Sequence, residues 1–508
     1  MSIKTLLRQY VPYLFLIIAT VWLLVYLVDG ARLFIEHIGA AIRFPYALDY
    51  GEGPLLDQTI RLAHFENIYR RNINTPPYTI SNYPPLFLLL QVPLAWLFGP
   101  ALWYGRTINL ISLLVAAISI ALTIYTITHD KIAAFVAGLT LLPFSFIVHW
   151  SAFNRIDSLA LGLSCAALGV IVRWGETRRG LIWGAALLTA AVYTRQSYAL
   201  AAPLAAFVWL LRPRDGVLGW RRAFALAAWT AGMGLGVFLL LNLLTWGGFY
   251  FNIVTANVNP FYWNTVWGYA RETWTHLPLL LIIGGLFSLA GPLLGLVGWR
   301  LHKGLLSPTW WLIAPYLVGA TASAITIGKS GSSVNYLFEF CAALSLVVGA
   351  WVAWPRKWPL LQALAVLILV PQMAGIVRWT REGRFTWIMG KIAERREIEQ
   401  MASLVRQADG PVLADEYMGL IPLAGKRLYY QPFELKQLGL AGIWNENGLL
   451  QDIADQKFSL LLIYDPPWWN SFQERWTPEQ IIFIERYYQI DRRLANTRIY
   501  RPRSFSLQ

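Results

Sequence analysis

Long apolar runs alternate with short polar loops over most of the chain. A membrane span needs roughly 20 apolar residues, and residues 11–28 (V-P-Y-L-F-L-I-I-A-T-V-W-L-L-V-Y-L-V) supply one. Further runs at 107–127, 132–149, 157–173, 181–194, 198–211, 223–246, 279–298, 309–327, 337–353 and 358–378 bring the expected number to eleven. The pair 181–194 and 198–211 is short and is interrupted at Thr194-Arg195-Gln196-Ser197. Broken helices of this kind occur where backbone lines a cavity. The apolar stretch Pro84–Leu97 is a different case, because a span there would reverse the sign of every later loop. It is expected to be a helix lying in the outer interface, started by Pro84-Pro85. The first external loop then covers residues 29–106.

After Arg381 the pattern changes. Glu394–Gln407 alternates as an amphipathic helix, Pro411–Ala414 and Phe458–Tyr464 read as buried strands, Pro478–Tyr488 as a helix and Arg498–Arg501 as a late strand. The fold class is therefore a polytopic α-helical membrane domain, residues 1–380, followed by a small external α/β domain, residues 381–508. No internal repeat or low-complexity tract interrupts either part.

Composition agrees. Hydrophobic residues make up 56% of the chain and charged residues only 14%, which excludes a soluble protein of this length. Trp150, Trp174, Trp220, Trp299, Trp354 and Trp358 sit beside span ends, where interface belts favour such rings. The net charge of +14 does not mark a nucleic-acid partner, because the excess lies mostly in short loops between spans. Loops expected on the cytoplasmic side carry Lys131, Arg173, Arg178, Arg179, Arg212, Arg214, Arg221, Arg222, Arg300, Lys303, Arg356 and Lys357. Short loops expected outside carry Arg155, Arg195, Arg271 and Lys329. With Lys4 and Arg8 before the first run, the bias puts the N-terminus inside a plasma membrane and the C-terminal domain outside. No small-x-small site follows the first run, so it reads as an uncleaved anchor. Cys165 and Cys341 fall within apolar runs and read as core residues.

Ionisable groups expected at the outer ends of spans are the candidate chemistry: Asp49, Glu52, Asp57, Arg155, Asp157, Arg195, His276, Lys329 and Glu339. Charges at membrane depth usually face a cavity. Cations there can hold a phosphate, and a carboxylate can take a proton from an attacking hydroxyl. Each also has a plainer reading. Asp49 or Glu52 suits a helix cap, and Arg155 with Asp157 suits a local ion pair. Lys329, in G-K-S-G-S-S-V-N-Y, lacks the spacing of a nucleotide-binding loop. His276 reads as an interface histidine, and the six histidines show no metal-ligand spacing.

The order of these features resembles the GT-C superfamily of lipid-linked-sugar glycosyltransferases, over most of residues 1–380. The nearest likeness is to bacterial protein-mannosyltransferase-like and aminoarabinose-transferase-like members, and more distantly to the oligosaccharyltransferase catalytic subunit. G-E-G-P-L-L-D-Q-T-I-R-L-A matches the place where many members carry an Asp-Glu pair, with Gly51 in the Asp position and Glu52 matching the Glu. The resemblance implies that Glu52 or Asp49 is the catalytic base. Tyr83-Pro84-Pro85-Leu86 resembles the family's interface helix, Asn154-Arg155-Ile156-Asp157 its second acidic motif, and Thr194-Arg195-Gln196 a Thr-Lys-Gly motif with Arg in place of Lys. It implies phosphate binding by Arg195, Lys329 and Arg155, and orientation of an acceptor, or of a divalent metal, by Asp157, Asp57 and Tyr83.

The expected partners are a polyprenyl-phosphate-linked sugar, an acceptor that is protein, lipid or glycan, and membrane lipids. The expected reaction is inverting sugar transfer on the external face. A transporter or flippase for a lipid-linked substrate is the alternative, since intramembrane charges and broken helices suit that too.

Overall fold

A computed structural model describes residues 3–300, 307–468 and 470–503. Helix α1, Ile3–Arg43, runs well past the expected end of the first span. Asp29, Arg32 and Glu36 do not stop it, because they lie on the helix surface and Arg32 pairs with Glu36 one turn on at 2.7 Å. The stop is Pro45, which disfavours helical backbone in the residue before it. The first loop therefore begins at Phe44 rather than at residue 29.

Two helices organise that loop: α2, Glu52–Ala63, and α3, Leu86–Phe98. The second starts directly after Pro84-Pro85, as the sequence suggests. Next come α4, Trp103–Thr128; α5, Lys131–Thr140, bent by 55° into α6, Ser145–Ser151; and α7, Asp157–Trp174. α8, Arg178–Thr194, and α9, Ala201–Leu211, form a hairpin whose turn carries Arg195. Its two open ends meet where Arg214 pairs with Glu176. α10, Trp220–Leu244, follows. Helices Pro278–Arg300, Trp310–Ala324, Phe338–Ala353 and Pro359–Glu382 complete the membrane domain.

Among the described residues, seven helices are long and apolar enough to cross a membrane, or up to nine if each bent pair is one span. The expected eleven are not reached by length, because each arm of the α8–α9 hairpin is under 18 residues. Leu235, Leu239, Leu243 and Leu244 on α10, and Leu14, Ile17, Val21 and Val25 on α1, are exposed, as side chains facing lipid are. The chain is a multi-pass helical membrane protein. Cys165 and Cys341 are buried free thiols.

The C-terminal region holds a four-stranded sheet: β1 Val412–Ala414, β2 Leu460–Tyr464, β3 Tyr488–Leu494 and β4 Thr497–Pro502, in the order β1-β2-β4-β3. β1 and β2 are parallel, and β4 is antiparallel to both β2 and β3. Ala495 and Asn496, both at positive φ, close the β3–β4 hairpin with the backbone twist that two-residue turns require. β3 was not expected from the sequence: Y-Q-I-D-R-R-L is largely exposed and lacks an apolar face.

This sheet region is docked on the first loop. Tyr78 pairs with Tyr430 as a parallel bridge, with Tyr78 N–H donating to Tyr429 O at 2.7 Å and Gln431 N–H to Tyr78 O at 3.1 Å. Ile73, Tyr78 and Ile80 share one buried cluster with Leu413, Leu461, Ile463 and Tyr500.

Candidate active site

Between the docked region and the membrane helices lies a cavity of about 280 Å³. The turn between α1 and α2 supplies Asp49, Tyr50 and Gly51, and the segment before α3 supplies Asn82 and Tyr83. The α6–α7 connection contributes Trp150 and Arg155, and the loop before helix Phe338–Ala353 contributes Ser332, Ser333, Asn335 and Tyr336. The C-terminal domain adds Gln431, Glu434 and Glu474. Aromatic rings beside short polar groups suit a polyhydroxylated ligand.

Three arginine–carboxylate pairs lie at or beside this cavity; two are buried, and the Asp49 carboxylate of the other is half-buried. The first is Arg155 with Asp49. Arg155 Nε donates to Asp49 Oδ2 at 2.9 Å, its Nη2 donates to the same oxygen, and Gly51 N–H donates there too, at 3.1 Å. Oδ1 accepts from no described residue. The guanidinium also lies over the Tyr50 and Trp150 rings, at 5.5 and 5.4 Å from their centroids. Gly51 makes this approach possible, since a Cβ there would collide with the Arg155 guanidinium. Burial pushes the Asp49 carboxyl above the usual aspartate range; Arg155 opposes the rise, and Glu416 and Glu52 add to it.

The second pair is Arg106 with Glu52, both fully buried. Glu52 Oε1 accepts from Arg106 Nε at 2.9 Å and from Asn154 N–H at 2.5 Å. Its Oε2 accepts from Arg106 Nη2 at 2.8 Å and from Leu48 N–H at 2.6 Å. Arg106 also donates to the carbonyls of Ala41, Phe44 and Tyr46. With both oxygens occupied and no place in the cavity lining, Glu52 is not set up to take a proton. It ties the turn bearing Asp49 to the loop bearing Arg155.

The third pair is Arg195 with Asp157. Asp157 also accepts from Trp150 Nε1 at 2.6 Å and from Asn335 Nδ2 at 3.1 Å. Arg195 lies over the Tyr336 ring at 4.1 Å. Neither Arg195 nor Asp157 lines the main cavity. Arg195 lines a much smaller one beside it, together with Glu339, and the two cavities share Asn335 and Tyr336.

Of the residues singled out from sequence, Asp49, Arg155 and Tyr83 thus come together in one cavity. Asp57 is elsewhere: its Oδ1 accepts from Leu428 N–H of the C-terminal domain at 3.0 Å, and burial raises its carboxyl to about 6. Lys329 is half-buried on the loop that reaches the cavity through Ser332 and Ser333, but does not line it. His276 stacks on Trp379 at 4.1 Å, an interface histidine. Among the described residues no group of three or more His, Cys, Asp or Glu side chains is placed to hold a metal ion. Sequence reasoning missed Arg106, whose only signal is a charge opening an apolar run. It also missed Gln431, Glu434 and Glu474, which carry no local signal at all.

The same arrangement of spans and docked domain has been solved before. The chain shares its fold with ArnT. The crystal structure of ArnT from Cupriavidus metallidurans bound to undecaprenyl phosphate superposes with a TM-score of 0.58 at 15% identity, covering 95% of this chain and 98% of ArnT. The apo state of ArnT gives 0.59. The archaeal oligosaccharyltransferase AglB from Archaeoglobus fulgidus, in complex with an inhibitory peptide and a dolichol-phosphate, gives 0.55 at 12% identity, covering 95% of this chain and 73% of AglB. At these identities the likeness is one of fold, and it is the fold that the GT-C resemblance implies. Coverage of 95% of this chain means that the C-terminal domain is part of the match. No protein-family model matches the chain, and no curated protein matches it in sequence.

Proposed function

We propose that the protein is a membrane glycosyltransferase that moves a hexosyl or pentosyl unit from a polyprenyl-phosphate donor to an acceptor hydroxyl on the external face. The observation that carries this reading is Asp49, a half-buried carboxylate with one oxygen free of donors from the described residues, lining a cavity between the spans and the docked domain. That the fold is shared with ArnT bound to undecaprenyl phosphate supports the choice of donor.

In this reading the donor enters from the lipid with its sugar in the cavity. The acceptor oxygen attacks the anomeric carbon while the bond from that carbon to the phosphate oxygen breaks. Polyprenyl phosphate leaves with the bonding electrons, and the acceptor proton passes to Asp49. Attack opposite the leaving group inverts the anomeric carbon. Arg195, which lies over the Tyr336 ring, and Lys329, on the loop that leads to Asn335 and Tyr336, are the proposed phosphate partners. Arg155 holds Asp49 in place and opposes the rise that burial imposes on its carboxyl.

The test uses liposomes with wild type and Asp49→Asn and a panel of undecaprenyl-phosphate sugars. Labelled sugar passing to an acceptor or to water with wild type, and at least 100-fold more slowly with the variant, supports the reading. Lipid-linked sugar crossing the bilayer with no turnover replaces it with a flippase.

A further inference from the structure

The cavity that holds Asp49 is ringed by acceptor oxygens. Gln58 Oε1, Asn82 Oδ1, Asn335 Oδ1 and Glu434 Oε2 are buried, belong to residues that line it, and have no hydrogen-bond partner among the described residues. For two of these amides the orientation follows from the nitrogen. Gln58 Nε2 donates to Ile80 O and Asn335 Nδ2 to Asp157 Oδ1, both at 3.1 Å, so the oxygens are the atoms left without a donor in the cavity wall. Buried acceptors without donors are costly unless a ligand supplies the hydrogens. The group that fits is rich in hydroxyl or ammonium hydrogens, and an ionised phosphate, which only accepts, does not belong among them.

Glu434 differs from the other three because it comes from the external domain, at the start of the helix Pro432–Leu440. That helix start is held against the catalytic turn. The Phe433 ring lies 6.3 Å from the Tyr50 ring, and Gly331, at φ +77°, leaves room that a Cβ would take from Phe433. The charge of Glu434 is felt at Tyr50, Asp49 and Arg155. A polyprenyl tail has to stay in lipid, so the donor approaches from the spans, and the external domain is the side left for the acceptor.

Resting on the glycosyltransferase reading, we propose that Glu434 recognises the acceptor by taking a hydrogen bond from a hydroxyl or ammonium group beside the attacking oxygen. It is a specificity residue of the external domain, separate from the proton transfer at Asp49.

The experiment compares full-length wild type, Glu434→Gln and Glu434→Ala in liposomes with the undecaprenyl-phosphate sugar that wild type turns over. Two reactions are followed: sugar release to water, and transfer to whichever acceptor wild type labels among polyols, hydroxyl-bearing peptides and glycolipids. The expected result for Glu434→Ala is an acceptor KM raised about tenfold or more, with transfer reduced at least fivefold more than release to water. Glu434→Gln, which keeps an acceptor oxygen and the shape, falls between. Loss of release and transfer in parallel overturns the proposal, because Glu434 would then serve the donor or the chemistry. An unchanged acceptor KM in both variants overturns it as well. Wild type that neither releases nor transfers sugar refutes the glycosyltransferase reading itself, an outcome distinct from these.

Discussion

Three carboxylates of the first loop, Asp49, Glu52 and Asp57, look alike in sequence and have different surroundings in the fold. Asp49 lines the cavity, Glu52 is locked on Arg106, and Asp57 faces the external domain. Their substitutions should therefore differ. Burial holds the Asp49 carboxyl above the ordinary 3.8, and only its ionised form accepts a proton. Activity should rise with pH through an acid limb above the usual aspartate range. Arg155→Gln removes the charge that opposes burial and should move that limb further up; a limb that stays put in a kcat/KM profile contradicts the role given to Arg155. Asp57 has a raised folded value of about 6, so its contribution to stability is complete below about 3.8 and is lost as pH rises to about 6. Asp57→Asn keeps an oxygen for Leu428 N–H, and should stabilise the protein at pH 8 by on the order of 1–2 kcal/mol, with no gain at pH 3.5. Thermal unfolding at the two pH values checks this. That Asp49 and Arg155 would share a cavity was legible from their positions at span ends. The pairing that sets Glu52 apart from Asp49 was not, because it rests on Arg106, 54 residues from Glu52.

At the scale of elements, the turn between α1 and α2 is held by contacts that span the membrane domain. Glu52 joins the start of α2 to α4 through Arg106 and to the α6–α7 connection through Asn154 N–H. Glu52→Gln leaves a buried arginine without its charge partner and should cost about 3–5 kcal/mol. The loss should appear as a lowered midpoint in a detergent unfolding series, and turnover should fall with the folded fraction. Glu52→Gln that is fully stable but inactive would restore Glu52 as the base. Gly51→Ala adds one methyl where the Arg155 guanidinium rests. It should reduce activity at least tenfold while changing stability by far less than Glu52→Gln, as paired activity and unfolding measurements would register. The helix after Pro84-Pro85 was legible in the sequence because two prolines and an apolar run mark it. The end of α1 was misplaced because a surface ion pair resembles a loop.

For the whole molecule, the expected division into a helical membrane domain and a small α/β domain matches the architecture, since span-length apolar runs and β patterning are local signals. The docking of one on the other is not local. Glu416 sits between Lys391, at 2.8 Å, and Arg475, at 2.7 Å, and Arg475 in turn lies over the Tyr50 ring at 5.0 Å. Burial alone would raise the Glu416 carboxyl, yet the two cations outweigh it and hold it at about 2. The carboxyl is depressed, so its stabilising contribution is complete above about 4.5 and fades as pH falls toward about 2. Glu416→Gln should loosen the C-terminal domain at neutral pH, seen as faster proteolysis within residues 395–503 and a several-fold loss of turnover; unchanged proteolysis would contradict this role of Glu416.

The cavity walls come from distant parts of the polypeptide: the α1–α2 turn, the α6–α7 connection, the loop before Phe338, and finally Gln431, Glu434 and Glu474. During synthesis these last walls are made only after every membrane helix has left the ribosome. A nascent chain therefore carries Asp49 and Arg155 into the bilayer without the compartment they work in. On the glycosyltransferase reading proposed above, donor lipid meeting such a chain would encounter a carboxylate without its outer walls, and sugar transfer would wait until the final domain has folded over it.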